Sequence, residues 1–156
     1  MISRKRIYCL PEILAYGKTF LSECIAYELL KQGKTVLYQT APVMLDTIID
    51  YRFRNNKKDG VNENLLSDIY HNILTVDLLI IDDLGTESLN SMKFTELFNV
   101  INTRLLHQNN HITKTIISTN LNLQDLRAKY DERIFSRFVG AYNICRFFGE
   151  DIRFKK

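Results

Sequence analysis

The stretch Leu78-Leu-Ile-Ile-Asp82-Asp83 places four apolar residues directly before two acids. An apolar run of this length predicts a strand that is buried on both faces. Carboxylates at the end of such a strand are costly to bury without a partner, and magnesium bound to a nucleoside triphosphate is a suitable one. Asp82 would then hold the metal with its water shell, and Asp83 would orient an attacking water. An ordinary Asp-Asp turn explains the same residues, so the stretch alone leaves both interpretations open.

Strands and helices alternate along the rest of the chain. Apolar runs predict strands over residues 13–16, 35–40, 78–82, 115–119 and 142–148. Helical periodicity predicts helices over residues 19–32, 42–53, 63–74, 91–106, 123–129 and 132–139. In the first of these helices, the apolar stripe comprises Phe20, Leu21, Cys24, Ile25 and Leu29. The alternation predicts an α/β fold of three layers, α/β/α, in which a parallel sheet binds its ligand beyond the carboxyl ends of the strands.

Gly17-Lys18-Thr19 matches the end of a phosphate-binding loop, between the first predicted strand and the first predicted helix. In such a loop, backbone N–H groups and the helix N-terminus surround the phosphates, the lysine neutralises charge and the threonine ligates magnesium. The full motif is G-x-x-x-x-G-K-[ST], and Glu12 stands here in place of its first glycine. The motif is therefore partial, and a simple strand–turn–helix is the alternative interpretation.

The predicted strand at residues 13–16 runs directly into Gly17, which leaves no residues for the loop. Either the chain has lost its loop and cannot hold phosphate, or about five residues of the natural loop are absent from the sequence. We favour the second interpretation, because the segments on either side of the junction look intact and directly joined.

Further polar and charged residues fall near the same predicted sheet edge. Asn120 follows the strand at residues 115–119, where an ordinary strand cap is the alternative role. Arg133 and Arg137 are four residues apart and therefore share one helix face. Exposed arginine pairs usually belong to a solvated face, but in an assembly one of them could reach a neighbouring subunit's γ-phosphate. Arg153, after the last predicted strand, is a third candidate charge.

Composition excludes several classes of protein. The chain has 156 residues, 25% of them charged, and a net charge of +3, which permits an anionic partner without demanding one. No apolar run is long enough to cross a membrane. The three cysteines form no CxxC pair and the three histidines lack metal-ligand spacing, so we expect free thiols in a reducing cytoplasm and no zinc site.

Five segments together resemble a known family. They are Lys18–Ser22, Leu79–Glu87, Ile116–Asn120, Asp131–Phe138 and Phe148–Arg153. In these segments, and in their order, the chain resembles the AAA+ domain of the DnaC/DnaI-type bacterial replicative-helicase loaders and is similar to the related IstB transposition ATPases. The resemblance implies a P-loop NTPase with a five-stranded parallel sheet and a reduced or absent helical lid. We expect one ATPase domain over residues 1–156, without the family's N-terminal helicase-binding domain.

The resemblance also implies roles for individual residues. Gly17, Lys18, Thr19, Asp82 and Arg153 would bind ATP, with Thr19 and Asp82 also holding Mg²⁺. Catalysis would depend on Asp83 in Walker B, on Asn120 as sensor 1 and on Arg137 as the arginine finger. The implied activity is hydrolysis of ATP to ADP and phosphate.

The implied process is DNA replication, within a primosome. A replicative helicase hexamer and single-stranded DNA would be the partners, and the chain would self-assemble into a nucleotide-dependent oligomer. Two alternatives stay open. One is a transposition helper ATPase of the IstB kind, and the other is an interaction module with a defective loop that does not hydrolyse ATP.

A basic segment between the second and third predicted strands is a candidate DNA contact. It comprises Arg52, Phe53, Arg54, Lys57 and Lys58. The cations would follow a phosphate backbone, and the aromatic ring would stack on an unpaired base. A helix end followed by a solvated turn, with Phe53 in the core, is the alternative that we favour.

Overall fold

The sheet consists of five parallel strands in the order β2-β3-β4-β1-β5. The structure is a computed structural model, and it describes residues 6–11, 17–54, 63–106 and 113–147. The strands are β1 (Arg6–Pro11), β2 (Val36–Thr40), β3 (Leu78–Leu84), β4 (Lys114–Thr119) and β5 (Tyr142–Phe147). The helices are α1 (Lys18–Lys31), α2 (Ala41–Arg54), α3 (Glu63–Thr75), α4 (Ser91–Leu106), α5 (Leu123–Lys129) and α6 (Glu132–Ala141). The predicted α/β class and parallel sheet are confirmed.

The central strand β3 is buried on both faces, as its apolar run predicts. Leu78 and Ile80 pack on one face, in a small cluster that α1 covers. Leu79 and Ile81 pack on the other face, in the main core. Residues of α2, α3, α4 and α6 complete that core, among them Met44, Ile73, Leu97 and Phe138. Alternate side chains of one strand thus join the two helical layers to the sheet and fix where its carboxyl end lies.

The first strand lies earlier in the chain than predicted. β1 spans Arg6–Pro11 and pairs with both β4 and β5, whereas residues 12–16, where the strand was predicted, lie outside the described part of the chain. The connection from Pro11 to Gly17 therefore has the length that G-x-x-x-x-G-K-T requires, with Glu12 at the first glycine position. The predicted strand over residues 13–16 itself lies outside the described residues, so the interpretation that residues of the loop are absent from the sequence stays a prediction.

The buried face of α1 also differs from the predicted stripe. Ile25 and Leu29 pack against the sheet as expected, but the innermost residues are Lys18 and Ser22. The other members of the predicted stripe are exposed, namely Phe20, Leu21 and Cys24. The helix is turned this way because the Lys18 ammonium group is held at the carboxyl end of β4.

No helix within the described ranges is long and apolar enough to span a bilayer.

Candidate nucleotide-binding site

The start of α1 brings Lys18 to the end of β4. Gly17 precedes the helix with φ 83°, a left-handed conformation that costs glycine little. Lys18 is only 5% exposed, and its Nζ donates hydrogen bonds to the backbone oxygen of Thr119 at 2.7 Å and to Oδ1 of Asn120 at 2.5 Å. A buried ammonium group needs such acceptors, because desolvation would otherwise remove its charge. The structure thus brings together the predicted Walker A lysine and the predicted sensor residue.

Asp82 lies at the centre of a second cluster, at the end of β3. Its carboxylate is buried and accepts hydrogen bonds from the hydroxyl groups of Tyr38 and Ser118. The Thr19 hydroxyl lies 3.4 Å from Oδ2 of Asp82, at the outer limit of a hydrogen bond. Burial, followed by the neighbouring Asp82, raises the pKa of the Tyr38 phenol well above its ordinary value. Tyr38 therefore keeps its proton and stays a donor to the carboxylate.

Asp83 has an unusual backbone and, unlike Asp82, an exposed side chain. Its φ of 53° is left-handed, and the pairing of β3 with β4 shifts register between Ile81 and Leu84. The Asp83 N–H donates to Oδ1 of Asp82 at 3.0 Å and to the Ser118 hydroxyl at 3.3 Å. Left-handed backbone at a residue other than glycine is uncommon and concentrates at functional sites, although aspartate tolerates it better than most. The bulge gives the two consecutive acids different environments, one buried and one accessible.

The hydrogen-bond partners of Asp82 were missed by sequence reasoning. Tyr38 lies on β2 and Ser118 on β4, the two strands that flank β3. The order of the sheet is the signal that would have found them, since the residue pair Thr40 and Asp82 shows how closely the ends of β2 and β3 align. Chain order alone gives no reason to place a tyrosine of the second strand beside the acid of the third.

The two candidate arginines of α6 differ in their contacts. Arg133 donates to Oδ2 of Asp131 at 2.8 Å and lies over the Phe98 ring at 5.6 Å, so it is engaged within the domain. Arg137 is exposed on the same helix. Exposure is what a finger that reaches a neighbouring subunit requires. Arg153 lies outside the described residues.

The basic segment is described only in part. Arg52 bonds Glu96 through Nε at 3.1 Å and through a second nitrogen at 3.3 Å, and it also donates to the Tyr70 hydroxyl. The bond to Glu96 raises the pKa of the Arg52 guanidinium above its ordinary value. Phe53 is 55% exposed and is not a core residue. The remaining members are the Arg54 side chain, Lys57 and Lys58, which lie outside the described residues.

The described residues fit magnesium bound to a nucleotide. The Thr19 hydroxyl and the Asp82 carboxylate face each other, as two oxygen ligands of one octahedral ion must. In the part of the chain that the structure describes, no three His, Cys, Asp or Glu side chains form a metal site by themselves. Magnesium here would rely on phosphate and water for its other ligands, which is its usual habit. The departure from the motif is Glu12, a carboxylate where the loop ordinarily has glycine.

The fold and the site together define the class of protein. A parallel sheet in this order, with Gly-Lys-Thr between β1 and α1 and paired acids at the end of β3, is a P-loop NTPase domain of the AAA+ type. The chain belongs to the family of IstB-like ATP binding proteins, whose sequence profile matches residues 12–147. The predicted kinship with helicase loaders and IstB ATPases is confirmed.

Known proteins of similar sequence and fold agree with this assignment. The replicative helicase loader DnaC of Escherichia coli (strain K12) is 31% identical over 121 residues, which cover 78% of this chain and 45% of the loader. A crystal structure of the DnaC helicase loader matches with a TM-score of 0.68 at 19% identity, over 93% of this chain and 79% of the other. AMPPCP-bound DnaA from Aquifex aeolicus matches with a TM-score of 0.71 at 24% identity, over 97% of this chain and 43% of the other.

The chain spans less than half the length of the curated loaders that it matches. The two structural matches, both below 25% identity, show the fold alone.

Proposed function

We propose that this chain is the ATP-binding AAA+ domain of a DNA replication helicase loader, which uses ATP to load a replicative helicase on single-stranded DNA. The observation that supports it most is the convergence of Lys18, Asp82 and Asn120 at one sheet edge, from three separate segments of the sequence. Each side chain has the chemistry that one part of magnesium–ATP needs. Lys18 is buried at the start of α1, and the next residue, Thr19, faces the buried Asp82 carboxylate. A structural role alone does not explain this arrangement.

The position of each side chain determines whether it binds phosphate, holds magnesium or orients water. Lys18 and the first N–H groups of α1 bind the phosphates, for which Lys18 exchanges its present acceptors, Thr119 and Asn120. Thr19 and Asp82 hold magnesium, which when bound neutralises charge that develops on the phosphates. Asp83, accessible beside Asp82, orients the attacking water, and Asn120 assists it.

Assembly would complete the site. Arg137 is exposed on α6 and supplies positive charge to the nucleotide of a neighbouring subunit, as an arginine finger does. Arg153 contacts the nucleotide bound in its own subunit. These roles make ATP turnover depend on the formation of an oligomer.

The helicase is the proposed protein partner because the DnaC relative is a replicative helicase loader. Single-stranded DNA is the proposed nucleic acid, contacted by the basic segment. Phe53 is available for stacking on a base, but Arg52 is already bound to Glu96. We therefore expect most of the phosphate contacts of this segment to come from Arg54, Lys57 and Lys58.

Two alternatives have one observation each in their favour. The match to the IstB-like profile favours a transposition helper that acts with a transposase. Glu12 at the first glycine position favours a domain that binds nucleotide weakly or not at all and acts by protein contacts.

Partner binding tests the proposal against both alternatives. The full-length protein is mixed with a purified replicative helicase hexamer or with a transposase from the same source, with and without magnesium–ATP, and complexes are measured by light scattering after gel filtration. The proposal expects a complex with the helicase that forms only with ATP. A complex with the transposase alone contradicts it, and an ATP-independent complex supports the interaction module instead.

A further inference from the structure

Glu87 is a buried carboxylate outside the site that Lys18, Thr19 and Asp82 form. It is 3% exposed and lies in the turn that follows β3. One of its oxygens accepts from the Gly85 N–H at 2.8 Å, and the other accepts from the Tyr130 hydroxyl. Both oxygens are therefore engaged inside the protein, and removal of either donor would leave a buried acceptor without its partner. Glu87 is a structural link, not a candidate base.

A second set of contacts joins the same turn to α5 and to the end of β4. The Lys129 ammonium group donates to the backbone oxygen of Gly85 and, at 3.3 Å, to that of Glu87. Gly85 has φ 110°, and a Cβ there would lie 2.5 Å from Cδ1 of Leu121. The turn therefore packs closely against Leu121, just after Asn120, and is hydrogen-bonded to Lys129 at the end of α5.

Tyr130 stands at the junction between α5 and α6. It ends α5, and the next residue, Asp131, caps α6 by accepting from the Ile134 N–H at 2.9 Å. The Tyr130 ring packs edge-on against Phe138 with centroids 5.9 Å apart. Phe138 follows Arg137 directly. A shift of Tyr130 would consequently move both the start of α6 and the turn of the helix that carries Arg137.

We infer that the hydrogen bond between Glu87 and Tyr130 couples the acidic end of β3 to the position of α6, so that nucleotide bound at Asp82 sets where Arg137 is presented. This inference rests on the proposed nucleotide site. Tyr130 and Glu87 are positioning residues, since neither touches the proposed nucleotide. The coupling gives a physical route by which a subunit with bound ATP presents its finger differently from one without it.

Hydrogen–deuterium exchange over residues 129–138 tests the coupling without relying on turnover. The proteins are wild type, Tyr130→Phe and the matched control Tyr51→Phe, which removes a tyrosine hydroxyl where α2 meets Tyr70 at a centroid distance of 5.1 Å. ATP affinity is measured separately with a fluorescent analogue. Wild type and Tyr51→Phe should show slower exchange in this segment on addition of magnesium–ATP. Tyr130→Phe should bind ATP with similar affinity, exchange about fivefold faster in this segment, and lose the response.

Two results overturn the coupling even if ATP binds. One is a wild-type protein whose exchange in this segment ignores ATP, and the other is an undiminished response in Tyr130→Phe. Absence of ATP binding by wild type overturns the proposed function itself, and the coupling with it. If Tyr130→Phe does not fold, Glu87→Gln replaces it, because the amide keeps the shape but turns one acceptor oxygen into a donor.

Discussion

Nζ of Lys18 lies 2.5 Å from Oδ1 of Asn120, across 102 positions of sequence. The contact joins the start of α1 to the residue that follows β4. In the sheet, β4 lies directly beside β3, which carries the two acids. A phosphate held by Lys18 would therefore lie within reach of Asn120. Binding of the phosphate and positioning of the attacking water are thus tasks of neighbouring side chains.

Asp83→Asn should retain ATP binding and lose turnover by about 100-fold, because the amide cannot accept a proton from water as a carboxylate does. Asparagine tolerates the left-handed φ of 53°, so the variant should fold normally. Turnover is followed by phosphate release, and folding by thermal unfolding. Asp125→Asn, in the first turn of α5, is the matched control. Turnover that survives in Asp83→Asn would show that another group orients the water.

Mixed subunits test whether Arg137 acts on a neighbour. Arg137→Ala subunits keep an intact nucleotide site, and Lys18→Ala subunits keep an intact finger. A mixture should regain part of the activity that each variant lacks alone, because some interfaces pair the intact site with the intact finger. Phosphate release is measured across mixing ratios, with Arg133→Ala in place of Arg137→Ala as the control. Recovery at no ratio would argue against a shared site.

Glu12→Gly should strengthen ATP binding by about tenfold, because it removes a negative charge from the loop and restores the glycine of the motif. Glu12→Gln is the matched control for charge alone and should recover only part of the gain. Isothermal titration with ATP and magnesium measures both. Equal affinity in all three proteins would mean that residue 12 has no part in phosphate binding.

Alanine substitution of Arg54, Lys57 and Lys58 together should weaken binding to single-stranded DNA and flatten its dependence on salt, because fewer counterions are released. Fluorescence anisotropy from about 50 to 200 mM salt measures the slope. The control is alanine at Lys31 and Lys34, which are exposed cations at the end of α1 and shortly after it. Identical curves for wild type and the triple variant would place the DNA contact elsewhere.

The sequence predicted the alternation of elements because buried strands and amphipathic helices differ in period. The helix over residues 91–106 and the helix over residues 123–129 have those same bounds in the structure. Lys18, Asp82 and Asn120 were expected to meet because residues at the carboxyl ends of parallel strands share one edge. Their convergence in the structure follows from that rule and from the order of the strands.

The position of β1 was not predictable from local pattern. Residues 7–10 and residues 13–16 are both short apolar runs, and only pairing with β4 and β5 selects the first. Arg104 is a comparable case, since a charged residue in the last turn of a helix is ordinarily exposed. It is instead 1% exposed and donates to backbone oxygens of Ile73 and Val76. Tertiary hydrogen bonds decide such positions, and no periodicity records them.

The most direct test of the proposed nucleotide site compares the affinity of wild type for magnesium–ATP with that of a variant that lacks the Lys18 ammonium group. Lys18→Ala should weaken binding about 100-fold, because a buried charge that meets phosphate is lost. Lys31→Ala, an exposed lysine at the other end of α1, should bind as wild type does. A fluorescent ATP analogue measures all three proteins by titration. Binding by Lys18→Ala that equals wild type would contradict the assignment of this sheet edge as a nucleotide site.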